Sequence, residues 1–170
     1  MQMHSFRYRT YLVGLLLGTA LLAGGCGFTM RGQDLGLPFK AIAIEGSQGV
    51  ANEVRQILQG QPGIKIVPKA VEAQVVLVIT AQAMERTVVA FSAAGRPREI
   101  QLRMRVSYKV NDGYAVEITG VQDITQTRDL SISDTEVLAV GNAEAFIVDD
   151  MQKDIAQQLV RRLRAVKLPS

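Results

Sequence analysis

The chain has no Trp, one His and one Cys in 170 residues, and aromatic side chains make up only 5% of it. His4 and Cys26 both lie near the amino end, so the body beyond them has neither imidazole nor thiol. Metal centres built on His or Cys, haem ligation, Ser-His-Asp triads and Cys-His nucleophiles therefore lack their residues there. Carboxylate pairs and Ser-Lys dyads remain, but sugar-cleaving clefts usually add aromatic platforms, and the chain has few. Sixteen acids do not by themselves make a matched acid and base. An enzyme reading would rest on Asp149, Asp150 and Asp154; positions 150 and 154 share a helical face, where solvation is the usual explanation. The chain is expected not to be an enzyme and to need no metal. Long apolar runs are missing too: residues 11–23 (YLVGLLLGTALLA) fall short of the roughly 20 residues of a spanning helix.

What is present starts with an address label. Residues 1–10 carry Arg7 and Arg9 and no acid, the apolar run follows, and Gly24-Gly25-Cys26 ends it. A basic head, a short apolar stretch and small residues describe an export signal over residues 1–25. Leu22-Ala23-Gly24-Gly25-Cys26 resembles a bacterial lipobox, with Ala23 where Leu is usual. The resemblance implies a diacylglycerol thioether on Cys26 and an N-acyl chain, palmitate in type, on its freed amine. No other cofactor is implied. Two or three acyl chains hold a protein stably at a bilayer, at about 0.8 kcal/mol per buried CH₂. Gly27 rather than Asp after the Cys favours, by the same resemblance, delivery to the outer membrane.

Removing residues 1–25 takes two of the 19 bases and none of the 16 acids. The mature chain is then nearly neutral, so the formal charge of +3 and pI near 9.2 are no nucleic-acid signature, which needs a strongly basic face. A protein partner or an amphiphile suits it better. With 48% hydrophobic and 21% charged residues, the composition is that of one globular domain.

Residues 26–38, rich in Gly and polar groups, read as an acylated tether, and residues 39–170 as a single domain. Residues 39–45 alternate as a short strand. Ser47 caps a helix over 49–59 whose Val50, Val54, Ile57 and Leu58 form one stripe, stopped by Gly60 and Pro62-Gly63. Residues 64–67 are a brief extended piece. Residues 74–90 open with a β-branched run apolar on both faces, as in a strand covered on both sides at its start. After a turn at 91–97, residues 100–110 alternate strictly, Ile100, Leu102, Met104, Val106, Tyr108 and Val110 against polar neighbours. Asn111-Asp112-Gly113 is a hairpin signal, and residues 114–132 form the next strand, with Gly120 as a bulge. A long helix is expected over 135–166, entered through Ser133-Asp134-Thr135, with acids early and Arg161, Arg162, Arg164 and Lys167 at its end, as the helix dipole prefers. Gly141 marks a candidate bend.

The expected fold is α+β: a single layer-on-layer domain, mainly an antiparallel four-stranded sheet with two helices packed on one face, in the order β-α-β-β-β-α.

Cys26-Gly27-Phe28-Thr29-Met30-Arg31-Gly32 resembles the Cys-Gly-Phe-x-Leu-Arg-Gly start of the lipopolysaccharide-assembly lipoprotein family LptE, also called rare lipoprotein B. Gly95-Arg96-Pro97-Arg98-Glu99-Ile100-Gln101-Leu102 is similar to the family's lead into its third strand. Arg128-Asp129-Leu130, Asp134, Val137-Leu138, Glu144 and Arg161-Arg162-Leu163 are similar to its closing strand and helix. Met30, and Ala139-Val140-Gly141 in place of a more polar start, depart from the pattern. The resemblance implies an outer-membrane lipoprotein that plugs the large β-barrel LptD, assists its assembly and supports lipopolysaccharide delivery to the outer leaflet. Direct lipopolysaccharide contact would fall to Arg96, Arg98, Arg103, Arg105 and Lys109, since a guanidinium offers phosphate a planar fork; the alternative is a solvated or barrel-facing strand face. Rival readings are a lipoprotein of another envelope machine and a periplasmic lipid carrier, which needs an internal apolar cavity.

Overall fold

Ile100, Leu102, Met104, Val106, Tyr108 and Val110 are all buried, and their regular alternation gives one interior strand of the sheet a single core-facing side. The computed structural model describes residues 35–46, 48–132 and 140–168. The signal, the lipobox, the family-like start at Cys26, the Ser47 cap and the Ser133-Asp134-Thr135 cap lie outside these residues.

The elements run β1 (Ala41–Gly46), α1 (Gln48–Gln59), β2 (Lys65–Ile66), a 3-10 turn (Ala70–Glu72), β3 (Val75–Phe91), β4 (Pro97–Asn111), β5 (Glu117–Ser131) and α2 (Val140–Leu163). The sheet has five strands in the order β2-β1-β3-β4-β5. Two expectations are corrected here. The extended piece after α1 is a fifth strand, joined to β1 by Lys65 N–H to the Lys40 carbonyl (2.7 Å) and Val67 N–H to the Ile42 carbonyl (2.9 Å). The element order is therefore β-α-β-β-β-β-α. In addition, β1 runs parallel to both its neighbours, and only β3-β4-β5 is antiparallel. A two-residue strand has no periodicity to read, and parallel pairing follows from the crossover through α1.

Both helices cover the same face. Val50, Val54 and Leu58 of α1 and Met151, Ile155, Leu159 and Leu163 of α2 share one cluster with Ile42, Leu77, Leu102 and Val106 of the sheet. Each fully buried aliphatic side chain there contributes about 1.5–3 kcal/mol. Leu35 and Leu37 also pack on this cluster, so the folded body starts before Phe39. The first residues of β3 are buried on both faces, because Ala43, Ala73 and Val76 form a second small cluster under the 3-10 turn. Gly141 is the second residue of α2, and the bend expected there falls at the edge of the described residues; a Cβ built on it would meet nothing within 4 Å. α1 has 12 residues against 24 in α2, and its Val50 N–H donates to Gln82 Oε1 of β3 (3.2 Å).

Two irregularities set which side chains face where. A bulge between Ile79 and Ala81 shifts the register of β3 against β4. Val75, Leu77 and Ile79 face the helices before it, and Gln82, Met84, Arg86 and Val88, opposite Val106, Met104, Leu102 and Ile100, do so after it. β1 leaves β3 at this point: Gly46 has φ +115, and a Cβ there would stand 2.3 Å from the Ile79 carbonyl oxygen. The second irregularity is a bulge across Gly120 and Val121, where Tyr108 pairs with Gln122 and Val110 with Thr119, as expected.

The β4–β5 turn differs from the sequence expectation. Asn111 is the last strand residue, and Asp112 closes the loop, its N–H donating to the Val116 carbonyl (2.8 Å). Asp112 Oδ1 accepts from the N–H groups of Tyr114 and Val116, both at 2.8 Å. The left-handed residue is Ala115, with φ 66, not Gly113. Gly113 is required for another reason: a Cβ there would lie 2.5 Å from the Ala73 carbonyl oxygen and 2.9 Å from that of Ala70.

Candidate functional site

The helix-free face of β3-β4-β5 is an extended polar surface positioned by this fold. The registers place Ala81, Ala83, Glu85 and Thr87 beside Ser107, Arg105, Arg103 and Gln101, and these beside Asp123, Thr125, Thr127 and Asp129. Two cross-strand hydrogen bonds fix this face: Ser107 Oγ to Asp123 Oδ1 at 2.6 Å and Gln101 Nε2 to Asp129 Oδ1 at 3.0 Å. It mixes Thr, Gln, Ser, Arg and carboxylates without a dominant sign of charge.

The five cations named from sequence do not form one site. Arg103, Arg105 and Lys109 alternate along one face of β4, whereas Arg96 sits in the β3–β4 turn and Arg98 at the start of β4. At about 3.3 Å per residue, Arg103 and Arg105 are ~7 Å apart along the strand. Arg98 and Lys109 are separated by ~36 Å. No ion pair joins any of the five to an acid among the described residues. At the hairpin tip Arg96 and Arg98 flank Pro97, the register partner of Phe91; both arginines are exposed, as are Phe91 (62%) and Val89.

The acids on α2 are engaged. Arg128 Nη2 bonds Asp154 and stands 3.7 Å from Asp150 Oδ2. Lys153 Nζ reaches Asp149 Oδ2 at 2.6 Å. That hydrogen bond, followed by the carboxylate's charge, holds the Lys153 ammonium above its ordinary titration range. Arg86 meets Glu144 at 3.4 Å. Among the described residues no group of three or more His, Cys, Asp or Glu side chains is placed to hold a metal ion, and no helix is long and apolar enough to cross a membrane.

Two features escaped the sequence reading. Tyr108, Gln122 and Arg162 form a hydrogen-bonded chain at the end of α2, beside a cleft of about 210 Å³ that they line with Val110 and Val166. Ligand pockets usually run from about 300 Å³ upward. The other feature is a cleft of about 410 Å³ under the β4–β5 turn, lined by Glu45, Val71, Val76, Asn111, Tyr114 and Ala115 among others. Asn111 is 8% exposed, and its Oδ1 is buried with no hydrogen-bond partner. Such an acceptor costs about 1–3 kcal/mol unless something satisfies it. The only signal in the sequence was Asn111-Asp112-Gly113, which reads as a turn; the 3-10 segment that completes the cleft has no motif.

These features define a class first: a two-layer α+β body with one face under helices and the other open and polar. Its backbone resembles uncharacterized lipoprotein B from Nitrosomonas europaea (30% identity, TM-score 0.70, covering 82% of this chain and 91% of that one). It also resembles a minor lipoprotein from Acinetobacter baumannii (20%, 0.63, 78% and 96%) and rare lipoprotein B from Shewanella oneidensis (21%, 0.61, 74% and 94%). Comparison with curated proteins returns no match. Residues 39–163 match the family described as LptE, lipopolysaccharide-assembly. The chain belongs to that family, in agreement with the resemblance drawn from its sequence.

Proposed function

We propose that this LptE-family chain is an outer-membrane lipoprotein, moored through acylated Cys26, that plugs and helps assemble the β-barrel LptD and so supports lipopolysaccharide delivery. The observation that carries this reading is the helix-free face of β3-β4-β5. A body seated in a polar barrel lumen needs an interior of its own and an exterior of mixed donors and acceptors. The odd-numbered residues of 101–107 and 123–129 supply that exterior, while Leu77, Leu102, Val106, Met151, Ile155 and Leu159 fill a closed cluster between sheet and helices. A carrier would instead keep a lipid-sized apolar space between helices and sheet. The role needs no turnover, and the acids of α2 are bound to cations. Affinity purification of the lipidated protein from detergent-solubilised membranes should recover a stoichiometric β-barrel of roughly 16 or more strands; its absence would defeat the assignment.

Direct lipopolysaccharide contact belongs at the hairpin tip more than on the sheet face. Arg96 and Arg98 share the hairpin end with the exposed apolar Phe91 and Val89, a combination suited to an amphiphile that carries phosphates and acyl chains. Arg103 and Arg105 share their face with Glu85, Asp123 and Asp129, which repel such anions. Replacing Arg96 and Arg98 together by Glu should lower lipopolysaccharide binding by the purified soluble domain, and replacing Arg103 and Arg105 should lower it less. Unchanged binding in the first variant removes the tip from the site.

A further inference from the structure

We propose that the cleft under the β4–β5 turn is a socket for a protein segment that inserts an apolar side chain and offers its backbone N–H to Asn111. The inference rests on the reading that this body docks against another polypeptide, and it says where one contact falls. Val71 and Tyr114, at the mouth, are 68% and 84% exposed, and Val116 beside them is also exposed. Exposed apolar groups around a concave site mark a binding surface rather than a solvated loop. Asn111 stands in the cleft wall opposite Val76, nine-tenths buried, with its Oδ1 unpaired. A buried acceptor among apolar walls fits a group that brings one donor and apolar bulk together, which a peptide unit and its side chain do.

Charge decides between occupants. The lining holds the acids Glu45 and Asp112 and no Lys or Arg. Asp112 Oδ1 is committed to the turn, whereas Glu45 is exposed and has no ion-pair partner among the described residues. An anionic lipid headgroup is repelled here, and a peptide carrying a cation beside its apolar residue is favoured. The turn is shaped for the role: Gly113 lets it sit against the Ala70 and Ala73 carbonyls, and Ala115 holds a left-handed conformation next to the projecting Tyr114.

The test places a photoreactive amino acid at Val71, at Tyr114 or, as control, at Val121 on β5 in the full-length lipidated protein. Membranes are irradiated and adducts are mapped by peptide mass spectrometry. The Val71 and Tyr114 sites are expected to trap one and the same partner segment, containing an apolar residue, which the Val121 site does not trap. Asn111→Leu should cut the Tyr114 adduct roughly tenfold, the factor that goes with one buried hydrogen bond. Val71→Glu, a surface change that leaves the core intact, should do the same at the Tyr114 site. A protease-resistant, phosphate-bearing adduct, no adduct, or a yield unchanged by both substitutions would overturn the socket. A trapped segment from a protein that is not a barrel would keep the socket and defeat the barrel reading. Co-purification of a barrel without any adduct at the cleft would do the reverse.

Discussion

Arg162 sits over Tyr108, its guanidinium carbon 6.0 Å from the ring centroid and its Nη1 donating to the phenol oxygen at 3.2 Å. The same Nη1 donates to the Asp123 carbonyl at 3.3 Å, and the Tyr108 hydroxyl donates to Gln122 Oε1 at 2.7 Å. One side chain in the last turn of α2 thus ties the helix to both β4 and β5. Tyr108→Phe should keep the packing, lose the hydroxyl's bonds and destabilise by about 1 kcal/mol, measured by urea unfolding. A Tyr108→Phe, Arg162→Met double-mutant cycle should give a non-zero coupling energy; strictly additive losses would mean the chain of hydrogen bonds does not act as a unit.

Two glycines should respond in opposite directions. Gly113→Ala forces a Cβ against two backbone carbonyls and should cost about 1–3 kcal/mol. Gly141→Ala adds a methyl into open space within a helix and should stabilise by up to about 1 kcal/mol. Thermal unfolding of the pair checks both, with the sign as the readout.

Arg128, between Asp150 and Asp154, is about a third exposed, so the network is screened. Its coupling energy should stay below about 1 kcal/mol and shrink in high salt. Denaturant unfolding of Arg128→Gln and Asp154→Asn, alone and together, at two salt concentrations measures it.

The Lys153 ammonium is held above its ordinary range by Asp149. Because the folded value is raised, any stabilisation from the pair is complete below the lysine's ordinary titration range and disappears as pH climbs through the raised value. NMR titration should show Lys153 returning toward the ordinary value in Asp149→Asn. The pair is half-exposed, so solvent screening should keep the neutral-pH stability change within error.

Much of this fold could be read from residue order. The alternation from Ile100 to Val110, the doubly buried start of β3, the Val50, Val54 and Leu58 stripe and the bulge at Gly120 each follow from a local pattern with one physical cause. What could not be read depends on contacts distant in the chain. Lys65–Ile66 becomes a strand only because β1 lies beside it. The bulge after Ile79 inverts the facing of β3, so polar Gln82 and Arg86 turn toward the helices where simple alternation would put them elsewhere. The five cations are spread along β4 and its turn: spacing gives the shared face of Arg103 and Arg105, and the reach to Arg96 and Arg98 follows only once 97–111 is known to be one unbroken strand. Asn111 looked like turn punctuation because its burial comes from the 3-10 segment nearly forty residues earlier.

The end of the β1–β3 pairing at Gly46 and Ile79 has a mechanical outcome. Near β1 the strands are clamped from above and beside, while residues 81–88 of β3 have a ladder partner on one flank only. Their amide protons should exchange with deuterium well ahead of those at 75–79. The molecule would then have a stiff root and a pliant blade, and the blade is the part that can bend to match the curvature of whatever surface it meets.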